Sequence, residues 1–423
     1  MTAPPIGRGL GPAFARLWSA AAVSSIGDGL TFAAMPLLAA TLSRDPLSIA
    51  MVSASTLLPW LLVGLLSGAL VDRWDRRRTM WTVDLGRAAV VGGLAAAVLA
   101  GVASIPLLIA AGFLMGTGQT MFDGAAQAAI PAVASRDPVR LHRANGRMLG
   151  TQTIGQSFVG PPLGGLLFTA ARWLPFGADA LSFLASSALV GTLKGRFEAD
   201  DGRARPARRS IRAEIAEGLR WLARHRVLRT LAVVACAANM AGAATYGLLV
   251  LLAQDRLGLG SLGFGLLLTC EAIGVVAGSL AAARISRLIG TTRAFTVANL
   301  VNAVALVALG LSGTVVVAAA AMITVSLSIG VWNVLGQSVR QELTPSRLMG
   351  RVVTAFRMVG IGGAPIGGLV GGLLARRYGL TAPFLGGGGL MTVSALAAMP
   401  VLTERSLAEA RNRAATEDGV AVP

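Results

Sequence analysis

The chain alternates long apolar runs with short polar connectors. Each run is about 20 residues long, which is enough for a helix to cross the hydrocarbon core of a bilayer. The pattern predicts an all-α polytopic membrane protein whose twelve transmembrane helices lie at residues 15–42, 47–71, 80–101, 104–126, 148–171, 174–193, 228–253, 261–284, 294–312, 314–336, 352–375 and 382–402.

The longest connector has six spans before it and six after it. It predicts an N-terminal six-helix bundle over 1–193, a cytoplasmic linker over 194–227, and a C-terminal six-helix bundle with a short cytoplasmic tail over 228–423. Within the linker, a helix would place four apolar side chains on one face, Ile211, Ile215, Leu219 and Leu222. We expect this amphipathic helix to lie against anionic lipid headgroups, and the alternative is a solvated linker helix.

Composition supports a membrane protein. Of the 423 residues, 54% are hydrophobic and 13% are charged, and the mean hydropathy is +0.68. Soluble domains carry about 25% charged residues. The chain has no G-x-x-x-x-G-K-[ST] phosphate loop and no Ser/His/Asp set, and neither His142 nor His225 has metal-ligand spacing around it. We therefore expect no enzymatic activity, no cofactor and no metal.

The basic residues are distributed unevenly between connectors. The net charge is +17, which in a soluble protein would suggest a nucleic-acid partner. Here, thirty of the 37 Lys and Arg residues fall in one alternate set of connectors and the termini, and five fall in the other set. By the positive-inside rule the rich side is cytoplasmic. The sequence predicts a multi-pass plasma (inner) membrane protein with both termini cytoplasmic, which contacts the lipid bilayer and no nucleic acid.

An internal repeat relates the two halves. A shift of 210 residues aligns Gly68 with Gly278, Arg77 with Arg287 and Gln127 with Gln337. The stretch GPPLGG (160–165) aligns with GAPIGG (363–368) at a shift of 203. Repeated halves are the usual plan of secondary transporters, so the repeat predicts two pseudo-symmetric six-helix bundles with a substrate path between them.

The connector after the second span carries a dense charge motif. The stretch GALVDRWDRRRTM (68–80) resembles the most characteristic motif of the major facilitator superfamily, G-x-L-x-D-R-x-G-R-R. The matching positions are Gly68, Leu70, Asp72, Arg73, Arg76 and Arg77. Asp75 stands where that family usually has Gly, and the sequence gives it no role.

The fifth span carries a second motif of the same superfamily. GPPLGG resembles the core of its antiporter motif through Gly160, Pro161, Gly164 and Gly165, whereas Gln156 replaces a usually small residue four positions earlier. These residues predict close packing of the helix against its neighbours. Two alternatives stay open: the helices pivot about this contact, or they pack closely without moving. The stretches QAAIPAVASRDPVRLHRANG, GLRWLARHRVLRTL and LTPSRLMGRV are similar to the branch that contains macrolide and enterobactin exporters.

The resemblance implies a cytoplasmic gate. In the family, residues matching Asp72, Arg76 and Asp123 form a charged network, and the second-span Asp faces the start of the eleventh span. That start lies here near Gly350 and Arg351. A helix N-terminus there would favour an anion. The alternative is that the arginines, Arg73 and Arg77 included, only anchor the connector on the cytoplasmic side.

Two acids lie near the middle of predicted spans. Asp28 in the first span and Glu271 in the eighth are candidates for proton coupling, because an ionisable group deep in a bilayer is costly and usually functional or paired. The alternatives are a neutral, hydrogen-bonded Asp28 and a structural pair for Glu271. We further expect a local Asp84–Arg87 salt bridge, and a hydrated Asp179 at the start of the sixth span.

The sequence thus predicts a secondary active transporter that exports a small hydrophobic or amphiphilic compound by proton antiport with alternating access. A monomer is sufficient for this. The residues expected to line the cavity are Phe32, Asn239, Tyr246, Trp332 and Arg357, the last as a counter-ion of Glu271 or a contact for an anionic substrate. Two alternatives remain open: uptake or uniport of a metabolite, and a non-transporting receptor or partner subunit.

Overall fold

Helices occupy the predicted apolar runs. A computed structural model describes residues 10–62, 74–134, 137–193, 211–345 and 348–417 of the chain, and within these ranges it contains helices and connecting turns but no strand. The predicted all-α architecture is confirmed.

The described residues of the first predicted half form seven α-helices and one π-helix. In chain order they are α1 Pro12–Leu42, α2 Pro46–Leu62, α3 Arg76–Leu99, α4 Ile105–Ala134, α5 Pro138–Thr153, the π-helix Ile154–Val159, α6 Gly160–Ala170 and α7 Leu174–Gly191. The fifth predicted span is therefore the continuous run of α5, the π-helix and α6.

The rest of the described chain contains eight labelled helices. They are α8 Ile211–Arg224, α9 Arg226–Tyr246, α10 Ser261–Ile289, α11 Thr291–Leu311, α12 Val315–Leu343, α13 Met349–Tyr378, α14 Ala382–Ala398 and α15 Glu404–Glu417. After α9 come a short helical turn, Leu249–Leu251, and a second π-helix, Leu252–Arg256. Within the described residues, nine helices are long and apolar enough to cross a membrane, and two shorter apolar helices are α2 and α14.

Helix ends differ from the predicted boundaries on the side predicted to be cytoplasmic. The sequence placed a connector over 127–147, whereas α4 continues to Ala134 and α5 begins at Pro138. Asp137 caps α5 by accepting a hydrogen bond from the backbone N–H of Arg140 at 3.2 Å. Hydropathy marks where a helix leaves the apolar layer, not where its hydrogen bonding ends, so the predicted connector was too long.

Asp75 has the same role at the start of α3. Its carboxylate accepts a hydrogen bond from the backbone N–H of Arg78 at 2.7 Å, which satisfies one of the free donors in the first turn of the helix. Glycine is also an acceptable N-cap residue. The departure from the family motif therefore replaces one N-cap residue with another.

The described residues divide into two units. The first unit comprises those within 1–43, 55–204 and 259–268, and the second those within 44–54, 205–258 and 269–423. In the first unit, α7 packs against both α1 and α3, and α1 also packs along the π-helix and α6. Its core includes Phe14, Leu17, Met80 and Phe122.

In the second unit, α9 packs on α13 and α14, and α11 packs on α12 and α14. The linker helix α8 is present as predicted, and part of its apolar face packs against protein. Leu222 is 3% exposed in a core cluster with Val352 and Phe356, and Leu219 packs beside it. The placement of the helix against lipid headgroups stays a prediction. Glu217 of α8 also forms an ion pair with Arg351 of α13 at 2.9 Å.

Candidate substrate and proton site

An ion pair between α1 and α3 forms the centre of the candidate site. The Arg87 guanidinium donates to a carboxylate oxygen of Asp28, with only 4% of the arginine side chain and 13% of the aspartate side chain exposed. Arg87 also donates to Oε1 of Gln119 on α4 at 2.6 Å. The sequence identified Asp28 as a functional candidate but did not identify this partner.

Arg87 is fixed from two further sides. Its guanidinium lies 4.0 Å from the centroid of the Phe183 ring on α7, a cation–π contact. Its second amine nitrogen is 3.7 Å from Asp84, which confirms the predicted pair within α3. The fully buried Asp84 also accepts a hydrogen bond from Ser186 of α7 at 2.6 Å.

A third buried carboxyl lies between α1 and α7. Asp179 is fully buried and accepts hydrogen bonds from Thr31 of α1 at 2.5 Å and from Ser182 at 3.1 Å. Gly27 permits this close approach, because a Cβ there would contact both Asp179 and Ser182. The prediction of a hydrated Asp179 is wrong: α7 begins five residues earlier, at Leu174, and the side chain faces α1 instead of water.

These carboxyls outnumber the positive charge beside them. With Asp28, Asp84 and Asp179 all ionised, the single guanidinium of Arg87 would leave two negative charges uncompensated in a region almost closed to solvent. A buried, uncompensated charge costs several kcal/mol, so such groups bind protons or acquire partners. The cluster is chemically suited to hold and release protons, and Asp28 is its most exposed carboxyl.

A polar cleft adjoins Asp28 within the first unit. Its volume is about 130 Å³, which is room for several water molecules. Its lining residues are Ser24, Ser25, Asp28, Gln119, Phe122, Asp123, Ala126, Gln127, Ile130, Met148, Gln152 and Gln156.

The polar members of this lining are spaced four residues apart along three helices, which the sequence analysis did not use. Ser24 and Asp28 lie on α1, and Gln152 and Gln156 begin on α5 and continue into the π-helix. The third set, on α4, is Gln119, Asp123 and Gln127. A four-residue period places side chains on one helical face. This repeated polar spacing inside apolar spans is the sequence signal that would have found the cleft.

The antiporter-like motif packs tightly against its neighbours. A Cβ on Gly160 would contact Gly29 of α1, and one on Gly164 would lie 2.6 Å from the carbonyl oxygen of Leu30. A Cβ on Gly165 would lie 2.9 Å from the carbonyl carbon of Ser261, in the first turn of α10. The backbone carbonyl of Pro161 faces Gly265 in the same helix. The structure thus shows the close-packing role of these residues.

The gate predicted from the charge motif is only partly visible. Asp72 and Arg73 lie outside the described residues. Arg77 donates a hydrogen bond to the backbone carbonyl of Gly191 at the end of α7. Asp123 accepts two from Gln119, at 3.0 and 3.1 Å, which joins it through Gln119 to Arg87.

Two predicted gate residues, and all the predicted coupling and cavity residues except Asp28 and Phe32, lie in the second unit. Gly350 lies in the first turn of α13 beside Arg351, which binds Glu217. Glu271 makes no side-chain hydrogen bond or ion pair with another residue in the described ranges, and Tyr246 is close enough to interact with it electrostatically. These assignments stay predictions.

The other predicted cavity residues lie on different helices. Phe32 is 41% exposed on α1, and Arg357 is exposed on α13. Asn239 donates to the carbonyl of Ala235 in its own helix at 2.9 Å. Trp332 packs edge-on against Phe295, with ring centroids 5.7 Å apart, at the border of a core cluster.

A family comparison identifies the class of protein to which the chain belongs. Residues 10–418 match the transmembrane secretion effector family, MFS_3, and the chain belongs to that family of the major facilitator superfamily. It is a multi-pass membrane protein of a transporter family and not an enzyme.

Several mycobacterial relatives are similar in sequence. The multidrug efflux pump Tap of Mycolicibacterium fortuitum is 29% identical over 384 residues, which cover 86% of this chain and 90% of that protein. Tap of Mycobacterium tuberculosis is 32% identical over 53% of this chain and 54% of that protein. An uncharacterised MFS-type transporter of M. tuberculosis is 32% identical over 180 residues, and the chain spans only 39% of that relative's length.

Solved structures of transporters share the fold. The nucleoside transporter NupG superposes with a TM-score of 0.74 at 15% identity, covering 93% of this chain and 100% of that one. A bacterial homologue of the human lysosomal transporter Spinster gives a TM-score of 0.70 at 12% identity, covering 96% of this chain and 97% of that one. These likenesses confirm the predicted major facilitator fold.

Proposed function

We propose that this protein exports a small compound from the cytoplasm in exchange for protons. The observation that carries the proposal is the Asp28–Arg87 ion pair at the edge of the polar cleft. Asp28 borders both a buried guanidinium and a polar cleft with room for several water molecules. A carboxyl in that position can change its partner during a transport cycle.

The exchange of substrate for protons follows from the charge balance at Asp28. An ionised Asp28 is neutralised by Arg87, by a positively charged group in the cleft, or by a proton. When a proton neutralises Asp28, Arg87 keeps its contacts with Asp84 and Gln119 and stays in place. A proton and a cationic substrate therefore compete for one carboxylate, which is the requirement for antiport.

The direction of transport is supported by relatives and by position. Two relatives are multidrug efflux pumps. The cleft runs from Asp28 toward Ile130 and Met148, near the ends of α4 and α5 that the arginine distribution predicts to be cytoplasmic. A compound would enter the cleft from that side. The proposal places the protein in the plasma (inner) membrane with both termini cytoplasmic, and one chain suffices.

Alternating access of the halves 1–193 and 228–423 completes the proposed cycle. Asp72, Arg73, Arg76, Arg77 and Asp123 with Gly350 and Arg351 would form the cytoplasmic gate. Support comes from Asp123, because Gln119 hydrogen-bonds both Asp123 and Arg87. One side chain, Gln119, thereby connects the proposed gate to the Asp28–Arg87 pair. Glu271 is the proposed second proton-coupling residue.

Transport into proteoliposomes tests the proposal. We expect an imposed inside-acidic pH gradient to drive doxorubicin accumulation by the wild-type protein, and a protonophore to abolish it. Accumulation is always measured above that in protein-free liposomes under the same gradient, because this weak base enters acidic vesicles unaided. Asp28→Asn should remove the gradient-driven component. The matched control is Asp255→Asn, because Asp255 is a half-exposed acid paired with Arg44 outside the cleft. Equal accumulation with and without the pH gradient would contradict antiport, and gradient-driven accumulation by Asp28→Asn would contradict the role of Asp28.

A further inference from the structure

We infer that the cleft binds an amine-bearing cation with several hydrogen-bonding groups, and that Gln152 and Gln156 contribute to this specificity. The inference deepens the proposed function, on which it rests, by naming the substrate class. It narrows the hydrophobic or amphiphilic compound expected from sequence, because the cleft presents four glutamine amides and two carboxylates.

The amides provide the first argument. Gln127, Gln152 and Gln156 make no side-chain hydrogen bond with any other residue in the described ranges, whereas Gln119 bridges Arg87 and Asp123. A polar side chain within a membrane span costs free energy unless it meets water or a partner. Three such amides facing one cleft therefore form a surface prepared to donate to and accept from a ligand.

The charges provide the second argument. Asp28 and Asp123 line the cleft, and no Arg or Lys is among its lining residues. The one cation beside it, Arg87, is only 4% exposed and lies behind Asp28. The other charged groups packed around Asp28 are Asp84 of α3 and Asp179 of α7, both acidic. The field at the cleft thus favours a positively charged ligand.

The length and ends of the cleft suggest how a ligand lies in it. Gln119 and Gln127 are eight residues apart on α4, which is about 12 Å along the helix. Asp28 lies at the Gln119 end, and the apolar side chains of Ile130 and Met148 lie at the other. An ammonium group would bind at Asp28, the polar body would contact the amides, and an apolar portion would contact Met148.

Gln156 is the amide that local structure positions for this role. It lies in the π-helix, and a Cβ on Gly29 of α1 would be 2.7 Å from its carbonyl oxygen. The π-helix is thereby held against α1, close to Asp28. Because π-helical turns shift side chains around the helix and often occur at functional sites, this turn accounts for an exposed polar residue beside the packed GPPLGG motif.

Three probes separate charge from hydrogen bonding. Doxorubicin carries an amine and several hydroxyl groups, its aglycone doxorubicinone lacks the amino sugar, and tetraphenylphosphonium is a cation without hydrogen-bonding groups. We expect the purified full-length wild type to bind doxorubicin most tightly. Gln156→Ala and Gln152→Ala should each weaken doxorubicin binding about 3- to 10-fold, the usual range for one lost hydrogen bond, and leave tetraphenylphosphonium binding unchanged.

The matched control is Gln341→Ala, which removes an exposed glutamine from the cytoplasmic end of α12 and should leave binding of all probes unchanged. Thermal unfolding of each variant verifies folding. Equal affinity for doxorubicin and doxorubicinone, failure of the wild type to bind doxorubicin, or equal loss of doxorubicin and tetraphenylphosphonium binding in Gln156→Ala would overturn the inference. Binding in the predicted order without gradient-driven transport would instead contradict the proposed function.

Discussion

Arg87 forms an ion pair with Asp28 on a neighbouring helix while lying 3.7 Å from Asp84 on its own. The guanidinium thus joins α1 to α3 and compensates two largely buried carboxyls. It also contacts Gln119 of α4 and Phe183 of α7, so four helices meet at this one side chain. Asp28 is one of several partners of this side chain, so Arg87 keeps its contacts with α3, α4 and α7 when Asp28 is protonated.

Arg87→Ala should strongly destabilise the protein. Removing one partner of a buried pair leaves an uncompensated charge and costs about 3–5 kcal/mol. Thermal unfolding in detergent measures the effect, with the exposed Arg413→Ala as control. The double variant Arg87→Ala/Asp28→Asn should lose less stability than the sum of the losses in the two single variants. Additive losses would show that the two side chains do not interact.

Gly27→Ala should destabilise the contact between α1 and α7. The added Cβ would contact Asp179 and Ser182, so the helices must separate, at a cost of about 1–3 kcal/mol. Gly86→Ala on α3 is the matched control, because nothing lies within 4 Å of a Cβ there. Alanine also has the higher helix propensity, so this control should be neutral or slightly stabilising. Equal unfolding temperatures for the two variants would contradict the observed packing.

The stability lost on substituting Asp75 should follow the N-cap preference of the new residue. Asp75→Ala removes the acceptor for the Arg78 N–H and should cost about 1 kcal/mol, whereas Asp75→Gly should cost a few tenths and Asp75→Asn almost nothing. Hydrogen exchange of the first turn of α3 measures the local effect. If Asp75→Ala exchanges no faster than Asp75→Gly, capping does not explain this residue.

Much of the fold could be predicted because it depends on local patterns. Apolar run lengths located the spans, and the arginine distribution predicted their orientation. The ends of α4 and α5 could not be located from hydropathy, because both helices continue beyond the apolar layer. The capping role of Asp75 was readable in principle, because an Asp directly before a helix is a common N-cap residue.

The site was less predictable because it depends on helix rotation. Asp28 was identified from its depth in an apolar run, and Asp84–Arg87 from its spacing on one helix. The contact between Arg87 and Asp28 requires knowing which faces of α1 and α3 meet, which a single sequence does not specify. The same reason explains the error at Asp179, whose side chain faces α1 instead of water.

Proton release on substrate binding tests the central claim most directly. Purified protein is placed in weakly buffered detergent solution near neutral pH with a pH indicator, and doxorubicin is added at a saturating concentration. We predict that the wild type and Asp255→Asn release protons as the drug binds, and that Asp28→Asn binds without releasing them. Undiminished proton release from Asp28→Asn, or doxorubicin binding to the wild type with no release at all, would contradict proton exchange at Asp28.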